Sequence, residues 1–471
     1  MKCTRFVVAI GMATLAVAIL AAPVHAALED ILYEKGQLTK EEWLKAKADR
    51  EKEEAEREKQ VKSAMKGVVT HDPKKKWIDS VTWSGDLRLR YEQFWRVGNP
   101  QFGDGTDIPG TQGVDRSRQR FRLRFGPEIK MGDFKTTIQI GTSASTDGIN
   151  GDQVSHNSSF DNAFSQKEIF ILRAYGAWNP SFFKPMTILG GKMKNPFYTQ
   201  YTNDVLFDAD VNPEGVAETF TFKATDSINL FANFGQFVLD EDSTDTNDQY
   251  MLGFQGGAEF KIGDDKLRLA VGLFDSLNLS HSGLSEPTVQ QFNSKTAAIP
   301  TSATSYVNDY NVLQLTGSFD TTLMGIPLNF SGDYIKNTAG VISCADNAGN
   351  GPGRCGNPAK RFEGQDEGYQ VGLRVGKASK ANTWEAAYYY KWLQADATLA
   401  AFVDSDFGDG GTNRRGNIFW VGYSPTDFLN FKVKFFNTKA VEKGLCFGGG
   451  PLNFSCTDNI NRMQIDMVFV Y

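Results

Sequence analysis

Arg116-Ser117-Arg118-Gln119-Arg120-Phe121-Arg122-Leu123-Arg124 decides the fold. Arginine stands at every second position, and Phe121, Leu123 and then Phe125 fill positions between. A period of two belongs to a β-strand, and it sends the arginines to one face and the large apolar residues to the other. A soluble sheet buries its apolar face, and a row of five guanidiniums is an odd surface for one. A barrel in a membrane needs this alternation, with lipid outside and water inside. A slip of one residue would move every arginine into lipid, at about 2–4 kcal/mol each near the midplane, so the register is fixed. The strand predicts a wet, basic lumen.

The start of the chain reads as a secretory signal. Lys2 and Arg5 precede an apolar run from Phe6 to Leu20, and Val24-His25-Ala26 offers a small-residue cleavage site, so residues 1–26 are expected to be removed. No later stretch has the 18 or more apolar residues of a membrane helix. Mean hydropathy is −0.36, a value that a polar-lumened barrel shares with soluble proteins. Formal charge is −6, and loss of the signal's two cations takes it to −8. The acid concentrates in runs such as Asp240-Glu241-Asp242 and Asp404 to Asp409, while arginine and lysine collect in strands. A nucleic-acid partner is not expected.

Four cysteines follow the signal, in local pairs Cys344 with Cys355 and Cys446 with Cys456, each in a Gly/Asn-rich segment. In an oxidising compartment these predict two disulfides that staple loops. Neither spacing suits zinc and no CxxCH motif is present, so no metal and no cofactor is expected.

Residues 27–76 form a distinct N-terminal segment. Thr39-Lys-Glu-Glu42 is a capping box opening a charged helix, which is expected in the periplasm as a short coiled coil or a solvated helix. From residue 77 to 471 the chain repeats strand, turn, strand, long loop, and predicts a 16-stranded antiparallel transmembrane β-barrel, an all-β fold. Met131-Gly-Asp-Phe134, Ala224-Thr-Asp-Ser227 and Ser424-Pro-Thr-Asp427 are tight turns, and longer Gly/Asn/Asp/Ser segments alternate with them. Short turns at one end and long loops at the other mark an outer-membrane barrel. An even strand number brings the last strand beside the first and removes sheet edges. That last strand carries Met463, Ile465, Met467, Phe469 and Tyr471 on one face and Arg462, Gln464 and Asp466 on the other. Met467, Phe469 and the terminal Tyr471 are similar to the signal read by barrel-assembly machinery.

Candidate pore-lining cations are Arg88 and Arg90 on the first strand, Arg116, Arg118, Arg120, Arg122 and Arg124 on the second, and Lys192 and Lys194 on the fifth. Such a cluster in a narrow lumen raises the local concentration of anions. The third long loop supplies the opposite sign through Asp204, Asp208, Asp210 and Glu214, which would set a transverse field if the loop folds inward. The spacing Asp208-x-Asp210-x-Asn212-x-Glu214 also suggests oxygen ligands for Ca²⁺, but Pro213 and the missing central glycine depart from that pattern.

Gly190-Gly-Lys-Met-Lys-Asn-Pro-Phe197 resembles the signature of the phosphate-selective porin type. Ile31 to Trp43, Trp83 to Arg90, Asp115 to Phe125 and Asp208 to Phe222 resemble the bacterial "putative porin" family, over nearly the whole mature chain. The resemblance implies an outer-membrane channel, a homotrimer in outer-membrane lipid, passing small hydrophilic solutes. The arginine row adds an expected anion preference, whereas the acidic third loop departs from the phosphate type. Rival readings are a sugar-selective porin, with Tyr175, Phe231, Tyr389 and Trp420 as stacking surfaces, and a porin sheath around an electron-transfer cytochrome. An enzyme is not expected, because His71, His156 and His281 lie in no nucleophile–base constellation.

Overall fold

The computed structural model describes residues 35, 39–45, 47, 77–97, 115–146, 150–200, 204–241, 243, 248–279, 308–344, 361–408, 410–442 and 459–471. The chain divides into two units, Met1–Val81 and Thr82–Tyr471. In the first, residues 40–45 are helical. Thr39 opens that helix as the sequence predicts: Glu42 N donates to Thr39 Oγ1 at 3.3 Å, and Glu42 Oε2 accepts from Thr39 N at 2.9 Å. The signal, the greater part of the charged segment after residue 47, and Cys355, Cys446 and Cys456 lie outside the described residues.

The second unit is a closed antiparallel barrel of sixteen strands. These are β1 Ser80–Val97, β2 Arg116–Met131, β3 Phe134–Gly141, β4 Phe170–Trp178, β5 Met186–Lys192, β6 Glu214–Lys223, β7 Ile228–Asp240 and β8 Gln249–Ile262. They continue as β9 Asp265–Leu277, β10 Tyr310–Leu323, β11 Ile326–Asn337, β12 Glu367–Gly376, β13 Thr383–Leu393, β14 Arg414–Thr426, β15 Leu429–Ala440 and β16 Asn459–Val470. The sixteen strands that the sequence predicts are present. Closure comes from β1 and β16, whose ladder runs from Asp86 opposite Val470 to Val97 opposite Asn459. Tyr471 extends that seam, accepting from Gly85 N at 2.9 Å and donating to Gly85 O at 3.1 Å. The C-terminal aromatic thus takes part in closing the ring.

Alternation holds around the wall. On β14, Ile418 and Trp420 are buried, while Phe419 and Val421 between and after them are 45% and 61% exposed. Leu269, Val271 and Leu273 on β9, Leu315 on β10 and Val433 on β15 continue the exposed apolar band. At the tight-turn end Trp83 stacks on Phe125 and Phe134 on Trp178, and Trp384 pairs across the ladder with Tyr423. Aromatic rings at that level suit a membrane–water interface. Val421→Arg should then destabilise the folded barrel by about 2–4 kcal/mol in lipid. Unfolding in vesicles measures this, and an unchanged stability would mean that Val421 does not meet hydrocarbon.

The barrel is not an empty tube. Loop L3, residues 193–213, turns inward after β5 and is closed at its neck by Met193 N donating to Pro213 O at 2.8 Å. It brings Met193, Phe197, Val205, Leu206, Phe207 and Val211 against inward residues of the wall, among them Phe237, Met251, Phe274, Val312, Ile335 and Leu393. Each large side chain removed from water this way contributes about 1.5–3 kcal/mol. Loop L7, residues 394–413, also folds in and adds Ala397, Leu399 and Val403 to that cluster. The two loops are joined backbone to backbone, with Asp208 N donating to Phe402 O at 2.6 Å. L3 and L7 are therefore an interior core, built on one side of the lumen.

Candidate functional site

The other side of the lumen is charged, and the arginine row forms its centre. Arg120 is 6% exposed, and Arg118, Arg122 and Arg124 carry partly buried side chains turned to interior partners. Arg116 sits exposed at the loop end of β2. Arg122 and Arg124 both bind Asp86 of β1, at 2.6 Å each. Arg118 Nε donates to Glu92 Oε2, and Arg120 lies 3.9 Å from the same carboxylate. Arg120 also donates to Asn157 O at 3.0 Å, which fastens loop L2, residues 142–169, to the wall.

Glu92 is the hub of this wall. It is 0% exposed, and Arg462 on the neighbouring β16 meets its Oε1 at 2.5 Å. Arg90 reaches the same atom at 3.4 Å, and Gln464 donates to it at 3.0 Å. Arg90 also pairs with Asp466, directly opposite on β16, at 2.7 Å. Asp406 of L7 bridges Arg90 at 2.9 Å and Arg462 at 2.8 Å. Burial raises the Asp406 carboxyl, but Arg90 and Arg462 outweigh it and hold the group well below the usual range. The ends of the chain, the arginine row and L7 thus meet in one ion-pair network across the closing seam.

L3 delivers one acid to the arginines. Asp210 lies 3.1 Å from Arg124 and 3.8 Å from Arg122, and His156 of L2 stands 3.3 Å away. His156 and these arginines overcome burial and keep Asp210 well below the usual carboxylate range. Asp208 instead accepts from Asp210 N at 2.8 Å and Ser405 N at 3.1 Å. Asp204 lies beside the junction of L3 and L7, where its backbone oxygen accepts from Lys391 Nζ at 2.8 Å. Glu214 is not with them: it begins β6, is exposed, and pairs with Lys192 at 2.6 Å.

Lys192 and Lys194 do not join the arginine row. On β5 it is Leu189 that packs with the interior cluster, and Met193 just beyond the strand joins it, so Lys192 falls in the other row opposite Ala174 and Glu214. Lys194 is exposed in L3. The interior core sets this phase, because the apolar Leu189 and Met193 are the residues that pack on it. The calcium pattern disperses as well, because Asp210 serves arginines, Asn212 accepts from Arg173 at 2.6 Å and Glu214 serves Lys192.

Tyr175, Phe231, Tyr389 and Trp420 all lie on inward rows. Tyr175 packs with the L3 cluster, and Arg268 lies 5.8 Å from the Phe231 ring. Tyr389 and Trp420 stack at 5.3 Å, but they are 0% and 2% exposed, and Lys432 and Lys434 stand 5.7 and 5.9 Å from the indole. The rings support lysines and offer no open face to a sugar.

Two cavities flank the inward loops. One of about 600 Å³ is lined by Asp152, His156, Lys192, Phe207, Asp210 and Asp240, among others. The second, about 560 Å³, is lined by Arg88, Arg90, Arg122, Asp210, Trp420 and Lys434 and extends to Ser424 and Phe428 at the tight-turn end. Asp210 lines both, so the L3 tip separates them. The roles of Asp406, Arg462 and His156 were not assigned from sequence. For Asp406 the signal is a long loop carrying Leu399, Val403 and Phe407 beside its acids, a composition that does not suit exposure to water.

A closed barrel of sixteen antiparallel strands, apolar without and charged within, with loops folded into its bore, belongs to the class of outer-membrane β-barrels. The chain is a member of the putative porin family, whose model matches residues 47–308 and 283–469. Among curated proteins no sequence matches it. Similar solved structures include OprB of Pseudomonas putida at high pH, 9% identical with a TM-score of 0.49, covering 83% of this chain and 94% of that one. OmpT of Vibrio cholerae, folded in vitro, is 9% identical with a TM-score of 0.41, covering 83% and 97%. Its trimer form is 9% identical with a TM-score of 0.43, covering 83% and 100%.

Proposed function

We propose that this protein is a passive outer-membrane diffusion channel for small hydrophilic solutes, with a preference for anions. The observation that carries the reading is the pairing of an apolar outer row with an inward row of arginines on β1 and β2 of a closed barrel. Confined water between low-dielectric walls makes such fixed charges felt along the whole bore. Acids within the bore reduce the preference without abolishing it, since each of Asp86, Asp210 and Asp406 is held by two guanidiniums within 4.0 Å. The homotrimer that the family resemblance implies belongs to the same proposal, as does the placement of the N-terminal helical segment in the periplasm.

Planar-bilayer recording of the purified protein tests it. In a KCl gradient the reversal potential is expected on the chloride side, with closure in three equal steps. A channel that prefers potassium would overturn the anion preference, and a protein that carries no current would overturn the channel itself.

A further inference from the structure

The arginine row is conspicuous, yet its guanidiniums are largely neutralised by neighbouring carboxylates. The 560 Å³ cavity at the tight-turn end is lined by five cations: Arg88, Arg90, Arg122, Lys432 and Lys434. Arg90 holds Asp466 and Asp406, Arg122 holds Asp86, and Lys432 holds Glu385 at 2.9 Å. Arg88 and Lys434 differ. Among the described residues neither has a carboxylate within 4.0 Å. Arg88 donates to Asn157 Oδ1 at 2.5 Å and keeps a buried Nε with no partner. Lys434 lies near two rings, Trp420 at 5.9 Å and Phe436 at 4.7 Å, and feels Asp204 and Asp406 only from beyond ion-pair distance. A buried guanidinium nitrogen without a hydrogen-bond partner is costly to hold, and an ammonium outside any ion pair has its charge to offer a ligand. Both become favourable when an anion enters.

We propose that this cavity is a binding site for a small oxyanion, a carboxylate or a phosphate, held between Arg88 and Lys434. The assignment rests on the anion-preferring channel proposed above and names the groups that carry the preference. Trp420 is a positioning residue, because its indole NH is fixed on Glu385 Oε1 at 2.9 Å and its ring supports Lys432 and Lys434. The facing wall is acidic. Asp204 and Asp208 of L3 line the cavity, as do Asp404 and Asp406 of L7. Asp406 is occupied by arginines, and Asp404 lies 3.8 Å from Lys391. Asp204 feels Asp404, Asp208 and Asp210 on one side and Lys391 and Lys434 on the other. Burial and Asp404 push it up to about 7, so it is protonated below that pH and opposes an anion only above it. Binding should weaken as pH rises from 6 to 8.

The test is saturable block of chloride current through the reconstituted full-length protein by inorganic phosphate and, separately, by benzoate. Wild type is expected to show block by at least one probe, stronger at pH 6 than at pH 8 for benzoate, whose own charge is constant over that range. The probe that blocks tells which oxyanion the site takes. In R88Q/K434Q the block constant should weaken about tenfold or more, a loss of charge-assisted hydrogen bonds. A general loss of positive charge would lower chloride current but leave that constant unmoved. K434Q alone removes an ammonium that touches only rings, leaves every ion pair of the wall intact, and should give a smaller change of the same sign. An anion-preferring wild type with no saturable block by either probe, or block unchanged in both variants, would overturn the site while leaving the channel. A channel that conducts but prefers cations would instead sink the reading on which it rests.

Discussion

Phe197→Ala is expected to raise single-channel conductance, on the order of twofold or more, as the loop that fills the bore loses its anchor. Phe197 ends the Gly190–Phe197 motif, and its ring is buried in the barrel at 5% exposure. It lies edge-on to Phe274 at 4.8 Å and to Phe237 at 6.1 Å, and stacks on Phe207 of its own loop at 6.4 Å. Beneath the ring, Gly235 and Gly253 face each other across β7 and β8. A Cβ on Gly253 would sit 2.3 Å from Phe197 Cζ, and one on Gly235 would sit 2.9 Å away. Two glycines on adjacent strands thus make the recess that seats this side chain. Removing a buried phenylalanine ring costs about 3–5 kcal/mol when the site cannot collapse. A strand wall held by ladder hydrogen bonds collapses poorly, so L3 should loosen while the barrel stays closed. Gly253→Val should act the same way from the other side. Conductance unchanged in a variant that retains the barrel's β-structure would mean that L3 does not limit flow.

What a sequence shows of its fold depends on the length scale of each cause. Strand existence and facing depend on neighbours two residues apart, so Arg116 to Arg124 and Met463 to Tyr471 declared their faces without help. Closure followed because the last strand needs a partner and β1 supplies a matching polar row, Asp86 to Glu92, to meet Arg462 to Asp466. The interior loops depend on contacts separated by hundreds of residues, such as Arg90 with Asp406 and Asp208 with Phe402, and no local pattern reports them. The sequence makes a transverse field conditional on L3 folding inward; its apolar residues seat it there, and only Asp210 of the four candidate acids reaches the arginines. On β5 the alternation holds but with the opposite phase: Leu189 and Met193 face the interior core, which puts Lys192 in the other row.

Glu92→Gln should give the largest loss of stability of any single substitution in the wall, about 3–5 kcal/mol, because it removes a buried anion that four guanidiniums share. Arg462 and Arg90 approach the same oxygen, Arg118 and Arg120 the other, and no part of the residue is exposed to water. Glutamine keeps the shape and can still accept hydrogen bonds, so the loss measured is that of the charge. Its effect should extend to closure, since Arg462 on β16 and Glu92 on β1 bind across the seam that joins the ends of the chain. It should also reach L7, because Arg462 is shared with Asp406 and with Ser405 O at 3.0 Å. Denaturant unfolding of the reconstituted barrel measures the first effect. The double variant Glu92→Gln with Arg462→Gln measures the coupling, and should recover about 0.5–3 kcal/mol of the loss by removing one of the cations that Glu92 neutralises. A single variant within about 0.5 kcal/mol of wild type would mean that solvent screens this network as it does an exposed pair. The same carboxylate helps explain why five arginines can share a strand. Their mutual repulsion is relieved by Asp86 and Glu92 of β1 and Asp210 of L3, so the row that predicts a basic lumen is spent largely on holding the lumen's contents in place. The charge left for a passing solute is what remains after that pairing.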